Sequence, residues 1–267
     1  MRNIVPLMMV ISFFLVRAVP ASAWDVPAPQ DYGRVIMNNF SRRAGLQPVR
    51  FDHWLHRSLY TCRLCHVDVG FAMEENGTQI TADANSKGLY CGACHDGVRT
   101  NNGKKIFPSC SKGAVKSEDA KQCNRCHSVG KAGEKQEYDY ATFAARLPKQ
   151  NFGQLIDWEK AESERFIQPI DFLEGVSFQR RALNAEKDFS ITSKSTWMPN
   201  IIFSHKKHVI WNGCEVCHPD IFPSVKKGAL RYNMLEISGG QYCGVCHNRV
   251  AFPLNDCNRC HRNRVGP

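Results

Sequence analysis

The sequence predicts a mostly irregular chain with short α-helices and little or no β-sheet, arranged as two tandem units. Three observations carry this. Twelve of the 13 Cys fall into six C-x-x-C pairs, and each pair is followed at once by His. The pattern recurs along the chain at a fixed offset, the mark of an internal repeat. Between the pairs the chain is rich in Gly, Asn, Lys and Ser, a composition of loops. Each repeat holds too few large apolar side chains for an ordinary core. Charged residues make up 22% and hydrophobic ones 43% of the 267 positions, which excludes both a disordered polyelectrolyte and a multispan membrane protein.

The six motifs are Cys62-Arg-Leu-Cys65-His66, Cys91-Gly-Ala-Cys94-His95, Cys123-Asn-Arg-Cys126-His127, Cys214-Glu-Val-Cys217-His218, Cys243-Gly-Val-Cys246-His247 and Cys257-Asn-Arg-Cys260-His261. C-x-x-C-H is the attachment signature of c-type haem. A zinc ribbon also uses C-x-x-C pairs but does not need a His after each. A disulfide scaffold explains the Cys count and not the His, and a thioredoxin-like motif occurs once, in a βαβ context missing here. The expectation is six covalently bound haem c groups, held by the twelve paired Cys. A short helical turn at each motif brings the i, i+3 thiols and the following His to one face.

At the N-terminus, Met1-Arg2-Asn3 precedes an apolar run from Ile4 to Val16 and then Ala21-Ser22-Ala23. This reads as a signal peptide over 1–23, with the mature chain starting at Trp24. The run is too short to span a bilayer, although Arg17 leaves an uncleaved anchor as an alternative. The protein is therefore expected to cross the inner membrane and to be periplasmic or extracellular, where thioether bonds would consume thiols that an oxidising compartment would otherwise pair. Loss of Arg2 and Arg17 takes the formal charge from +10 to +8, and two propionates on each of six haems would bring it to about −4 with ferrous irons. The basic polypeptide thus balances its own cofactors, and nucleic acid is excluded as a partner.

The repeat is explicit. Phe51-Asp-His53-Trp-Leu-His56 matches Phe203-Ser-His205-Lys-Lys-His208 at an offset of 152, and the match holds through Cys65/Cys217, Asp68/Asp220, Tyr90/Tyr242 and His95/His247. Ile106-Phe107-Pro108 resembles Ala251-Phe252-Pro253, and the third motifs match at an offset of 134, so the first copy carries an 18-residue insertion that contains the odd cysteine, Cys110. Each copy is a three-haem unit: 24–135 and 196–267. Between them, residues 136–195 contain no Cys or His. Phe143, Leu147, Phe152, Leu155, Ile156, Trp158, Phe166, Ile167, Phe172 and Leu173 recur there, broken by Pro148 and Pro169. That is too apolar for a tether, so short helices and loops packed across the haem faces are expected, with partner docking as the alternative. If the haems supply the buried apolar surface, the apoprotein does not fold.

Six motif histidines supply one axial ligand each: His66, His95, His127, His218, His247 and His261. Only His53, His56, His205 and His208 remain, as two H-x-x-H pairs at the same distance before a motif, which points to distal ligation. Two irons, one per repeat, are left without a second imidazole.

F-x-H-x-x-H followed by three C-x-x-C-H motifs resembles the triheme cytochrome c7 domain of the cytochrome c3 superfamily, over roughly residues 48–128 and 200–263, and the tandem c7-type polymers of metal-reducing bacteria. The resemblance implies that His53 pairs with His66, His56 with His95, His205 with His218 and His208 with His247. The family's remaining distal His lies four residues before the second motif, where this chain has Lys87 and Gly239. Tandem c7-type domains can use Met instead, which nominates Met234 in the second repeat and Met73 in the first; Lys87 or an open site is the alternative in the first.

The function implied is a hexahaem cytochrome that transfers electrons outside the cytoplasm, in anaerobic or metal-reducing respiration, and is not an enzyme. Irons saturated on both faces bind no substrate, and exchanging His for Met raises a haem's potential. Its partners would be redox proteins, membrane-bound quinol-linked or outer-membrane cytochromes among them. One alternative is a multihaem reductase with an open-faced haem at His127 or His261, although no catalytic set surrounds either residue in the sequence. The other is a subunit of an extracellular cytochrome filament or outer-membrane conduit, self-assembling through haem edges.

Overall fold

The structure is a computed structural model that describes residues 27–101, 103–110, 120–129, 139–180, 187–224, 226 and 228–263. The expected signal peptide lies outside the described residues, as does most of the insertion after Cys110. Among the described residues no helix is long and apolar enough to cross a membrane.

Each repeat opens with a short antiparallel hairpin that delivers the chain into the H-x-x-H helix. In the first, β1 (Arg34–Met37) pairs with β2 (Val49–Asp52), and α1 (His53–Arg57) follows directly. Asp52 fixes this corner by accepting from both Arg34 Nε at 2.8 Å and Arg50 Nε at 2.9 Å. Further on come α2 (Ala82–Ser86), the two-residue strands β3 (Thr100–Asn101) and β4 (Lys104–Lys105), and α3 (Ala120–Cys123). The bridging segment forms α4 (Tyr140–Ala145) and α5 (Trp158–Ser163), each capped by an Asp at its N-terminus. The second repeat has β5 (Phe189–Ile191), β6 (Asn200–Phe203), α6 (His205–Asn212), α7 (Met234–Ser238), α8 (Cys257–Cys260) and β7 (His261–Asn263), with sheet order β5-β6-β7. The mostly irregular architecture with small helices and few short strands is the one the sequence predicts.

One expectation needs correction. The boundary at residue 196 falls inside the β5·β6 hairpin, where Phe189 pairs with Phe203 and Ile191 with Ile201. Residues 189–191, placed in the linker by composition, are structurally the opening arm of the second unit, because a hairpin needs both strands to satisfy its backbone groups. Among the described residues, the buried hydrophobic cluster is Trp54, Ala144, Leu147, Ile156, Trp158, Ala161 and Ile167. Six of these seven come from the bridging segment, whose Tyr140, Phe143 and Trp158 also line the cavity that His53, His56 and His66 line. It also clasps the first motif, with Thr61 N donating to Ile170 O at 3.1 Å and Ile170 N to Leu59 O at 2.9 Å. Tyr32, 2% exposed, donates from its hydroxyl to Ala251 O at 2.6 Å and accepts at its carbonyl from Gln154 Nε2 at 2.7 Å. The N-terminal arm thus ties the bridging segment to the second repeat.

Candidate haem sites

The motifs do not share one backbone form. Cys123 and Cys257 sit in α-helical turns, Cys91 and Cys243 in 3-10 turns (Tyr90–Ala93, Tyr242–Val245), and Leu64–Asp68 in a wider π turn. What recurs is one hydrogen bond: the His N–H donates to the first Cys carbonyl in four motifs, at 2.8 Å for His95 and His127 and 2.9 Å for His218 and His247. This brings Cys and His to one face, as the spacing predicts. All thirteen cysteines are free of disulfides. Among the described residues no group of three or more His, Cys, Asp or Glu side chains is placed to hold a metal ion.

The second motifs contain a constraint hidden in a small residue. A Cβ on Gly92 would lie 1.9 Å from Asn85 O, and one on Gly244 would lie 1.8 Å from Ile237 O. Here the motif backbone packs directly on the preceding helix, α2 or α7, and only glycine fits.

Every motif histidine is held by its Nδ1 against a backbone carbonyl. His66 reaches Phe71 O at 2.9 Å, His95 Phe107 O at 3.1 Å, His127 Gln47 O at 2.6 Å, His218 Phe222 O at 2.6 Å, His247 Phe252 O at 3.1 Å and His261 Pro199 O at 2.7 Å. A carbonyl only accepts, so Nδ1 carries the proton and Nε2 keeps the lone pair a metal needs. These acceptors were not legible as site residues. The signal was nevertheless present, because Phe107 and Phe252 belong to the repeated Phe-Pro step, and Gln47 and Pro199 are related by the same 152-residue offset.

The distal histidines follow. His53 Nδ1 donates to Gly33 O at 2.7 Å and His208 Nδ1 to Ser204 O at 2.8 Å. Phe51 and Phe203 brace His56 and His208, with ring centroids 4.4 Å apart in both repeats. The rings of His53 and His66 are 6.4 Å apart and 5° from parallel, those of His56 and His95 6.3 Å apart, and those of His208 and His247 6.2 Å apart. Two imidazole nitrogens each about 2.0–2.1 Å from one shared metal put ring centroids about 6.3 Å apart. Burial lowers the pKa of His53, His56 and His247 to about 4, and also lowers those of His66, His95 and His208. These imidazoles are therefore neutral at pH 7, as ligands must be. The paired rings face a continuous cavity of about 4250 Å³, several times the usual 300–1,000 Å³ of a small-molecule site. Donor set, ring spacing and space all fit c-type haem.

Among the described residues the fourth pair, His205 and His218, shows no ring contact like that of the other three. His205 packs on Phe189 and Phe203, at 5.9 and 5.5 Å. Its buried Nδ1 finds no partner among the described residues. The hairpin before His205 is also shorter. The β1·β2 pairing runs to Arg34–Asp52 and sets the Gly33 carbonyl on His53, whereas β5·β6 stops at Phe189–Phe203. Both His205 and His218 still line the cavity.

Among the described residues no second imidazole packs against His127 or His261. Met73, half-buried, follows the first motif, and Met234 opens α7 with 52% of its surface exposed; both line the cavity. Lys87 ends α2 with its ammonium 2.6 Å from Asp83 Oδ2, and Gly239 caps α7. Cys110 lies 4.0 Å from Asn85 Nδ2.

Comparison with known proteins returns one family, described as cytochrome c7 and related cytochrome c, matching residues 49–128 and 201–262. Among solved structures, a "c7-type three-heme cytochrome domain" is 35% identical over 28% of this chain and 93% of its own, with a TM-score of 0.26. The C-terminal hexaheme fragment of GSU1996 is 22% identical over 86% of this chain and 97% of its own (TM-score 0.25), and dodecaheme cytochrome c GSU1996 is 21% identical over 86% and 73% (TM-score 0.26). No curated protein matches.

Proposed function

The chain belongs to the family of cytochrome c7 and related cytochromes c, and on that premise we propose that it carries six covalent haems and transfers electrons outside the cytoplasm without acting as an enzyme. Haem iron supplies reversible one-electron exchange between ferrous and ferric states. The residues do the rest. The twelve paired Cys tether the groups, and His66, His95, His127, His218, His247 and His261 each offer Nε2 with the tautomer fixed by a backbone carbonyl. His53, His56 and His208 close the opposite faces, and His205 is the remaining candidate for the fourth. Met234 and Met73 are proposed for the irons of the third motifs.

The observation that supports this reading best is the set of three imidazole pairs spaced 6.2–6.4 Å apart. Such rings would hold an iron and leave it no open position for a substrate, and rings already fixed by partly buried hydrogen bonds would need little rearrangement when the charge changes. The export signal proposed at 1–23 fits attachment outside the cytoplasm, with redox proteins as partners, including cytochromes linked to quinol oxidation or to the outer membrane, in anaerobic or metal-reducing respiration. A pyridine haemochrome assay on the purified protein, together with its intact mass, tests the reading. Six haems on a chain starting at Trp24 are expected, and two or three per chain would overturn it. Azide or nitric oxide binding separates the carrier from a reductase. A carrier leaves the paired sites unreactive, and turnover of an oxyanion at His127 or His261 would favour the enzyme.

A further inference from the structure

The first and fourth motifs meet. Arg63, inside the first motif and 1% exposed, donates from Nη1 to Asp68 Oδ2 at 2.7 Å and from Nε to Asp171 Oδ1 at 2.9 Å. Its aliphatic stem lies against Gly213, the residue just before Cys214: a Cβ there would fall 2.6 Å from Arg63 Cδ. Arg180 then bridges the motifs, one nitrogen 3.4 Å from Asp68 Oδ1 and the other paired with Glu215, inside the fourth motif. Arg63 and Glu215 are equivalent positions, 152 residues apart. Equivalent residues approach one another where two like units meet about a twofold axis. Two arginines or two glutamates there would repel, and this chain carries one of each sign.

A second set of contacts agrees. Gly33, which holds His53, would bring a Cβ within 3.6 Å of Arg249 O and Val250 Cα. Arg57, next to His56, lies over Trp158 at 4.3 Å and Trp211 at 5.4 Å and donates to Val250 O at 2.8 Å, three residues past His247. The third motif is held by its own repeat, through Gln47 O to His127 and Arg50 N to Cys126 O. Sequence order would join the third motif to the fourth; the contacts join the first to the fourth.

We propose that the two triheme units are locked head to head and exchange electrons between the sites of the first and fourth motifs, with Arg63 as the positioning residue of that junction. The inference rests on the haem-carrying function proposed above. Each exchange moves one electron: iron in one unit goes from ferrous to ferric as iron in the other goes from ferric to ferrous, with no bond made or broken and no proton carried. The Arg63–Asp68 pair is buried while Asp171 reaches it from the surface with 46% of its side chain exposed; a buried ion pair adds little net stability, and the role assigned to this one is to fix geometry.

The test uses full-length holoprotein, partially reduced, with haem methyl proton resonances recorded at each oxidation stage. Rapid exchange across the junction gives the wild type one averaged set over all the haems. Arg63→Gln, and the more exposed Arg180→Gln should Arg63→Gln fail to mature, are expected to retain the wild-type haem content while the resonances divide into two sets, each averaging within its own unit. Gln122→Ala, beside the third motif, is expected to leave the single set intact. Fully loaded Arg180→Gln protein that still averages over all haems, or a split caused by Gln122→Ala, would overturn the junction. A wild-type haem content other than six would overturn the function beneath it instead.

Discussion

Trp54 sits between His53 and His56 in sequence and turns the opposite way, into the buried cluster, where it is 3% exposed. Its ring lies 5.4 Å from Tyr140 in an edge arrangement and 4.8 Å from Phe143. Replacing a buried Trp by Ala costs about 3–5 kcal/mol through lost transfer energy and the cavity left behind, and a cluster of only seven buried residues has little capacity to collapse into the gap. At about 2–4 °C per kcal/mol for a chain of this size, the melting temperature should fall by roughly 6–20 °C. The functional consequence is local. With α1 unanchored, His53 and His56 lose the support that holds them 6.4 and 6.3 Å from His66 and His95, and weaker imidazole ligation raises potential. Trp54→Ala should therefore melt lower by circular dichroism and move two haem potentials upward in a spectropotentiometric titration, leaving the second repeat unchanged. The equivalent residue there is Lys206, which is exposed, so Lys206→Ala is the neutral control. A lower melting temperature with unchanged potentials would refute the link between this core and the distal ligands; an unchanged melting temperature would refute the core itself.

Met234→Ala should cost no more than about 0.5 kcal/mol, as at other half-exposed positions, yet admit azide to the His261 haem, while Met234→His should lower that haem's potential; an unchanged titration in both would reduce Met234 to a surface side chain. Gly92→Ala and Gly244→Ala each force a Cβ within 2 Å of a backbone carbonyl, an overpacking cost of about 1–3 kcal/mol or more, so each should mature with one haem fewer by pyridine haemochrome. His53, His56 and His247, pushed down to about 4 by burial, stay neutral in the fold but bind a proton near pH 6.5 once it opens. Their contribution is complete above pH 6.5 and declines as pH falls toward 4, by up to about 1.4 kcal/mol per pH unit for each group; urea midpoints that do not move between pH 7 and 5 would contradict this.

The sequence by itself determined the chemistry of attachment and the number of units. Cys, Cys and His within five residues need only one turn of chain to share a face, so their role survives whichever turn they adopt, and the 152-residue offset displays the repeat without reference to any contact. Three distal pairings implied by the family resemblance appear in the structure at ligand spacing, because each H-x-x-H helix follows directly from its hairpin and its direction is a local matter. The tertiary structure alone decided what depends on distant backbone. The carbonyls that fix each tautomer come from residues as far away as Gln47 for His127 and Pro199 for His261, and nothing in a carbonyl's own residue type announces that use. His205 packs on Phe189 and Phe203, after a hairpin that ends one residue pair earlier than its counterpart. Residues 136–195 read as a packed segment, because apolar composition records that a segment is buried but not what it is buried against. Here it meets Trp54, and the units it joins face each other through equivalent positions of opposite charge, an arrangement that only the folded chain creates.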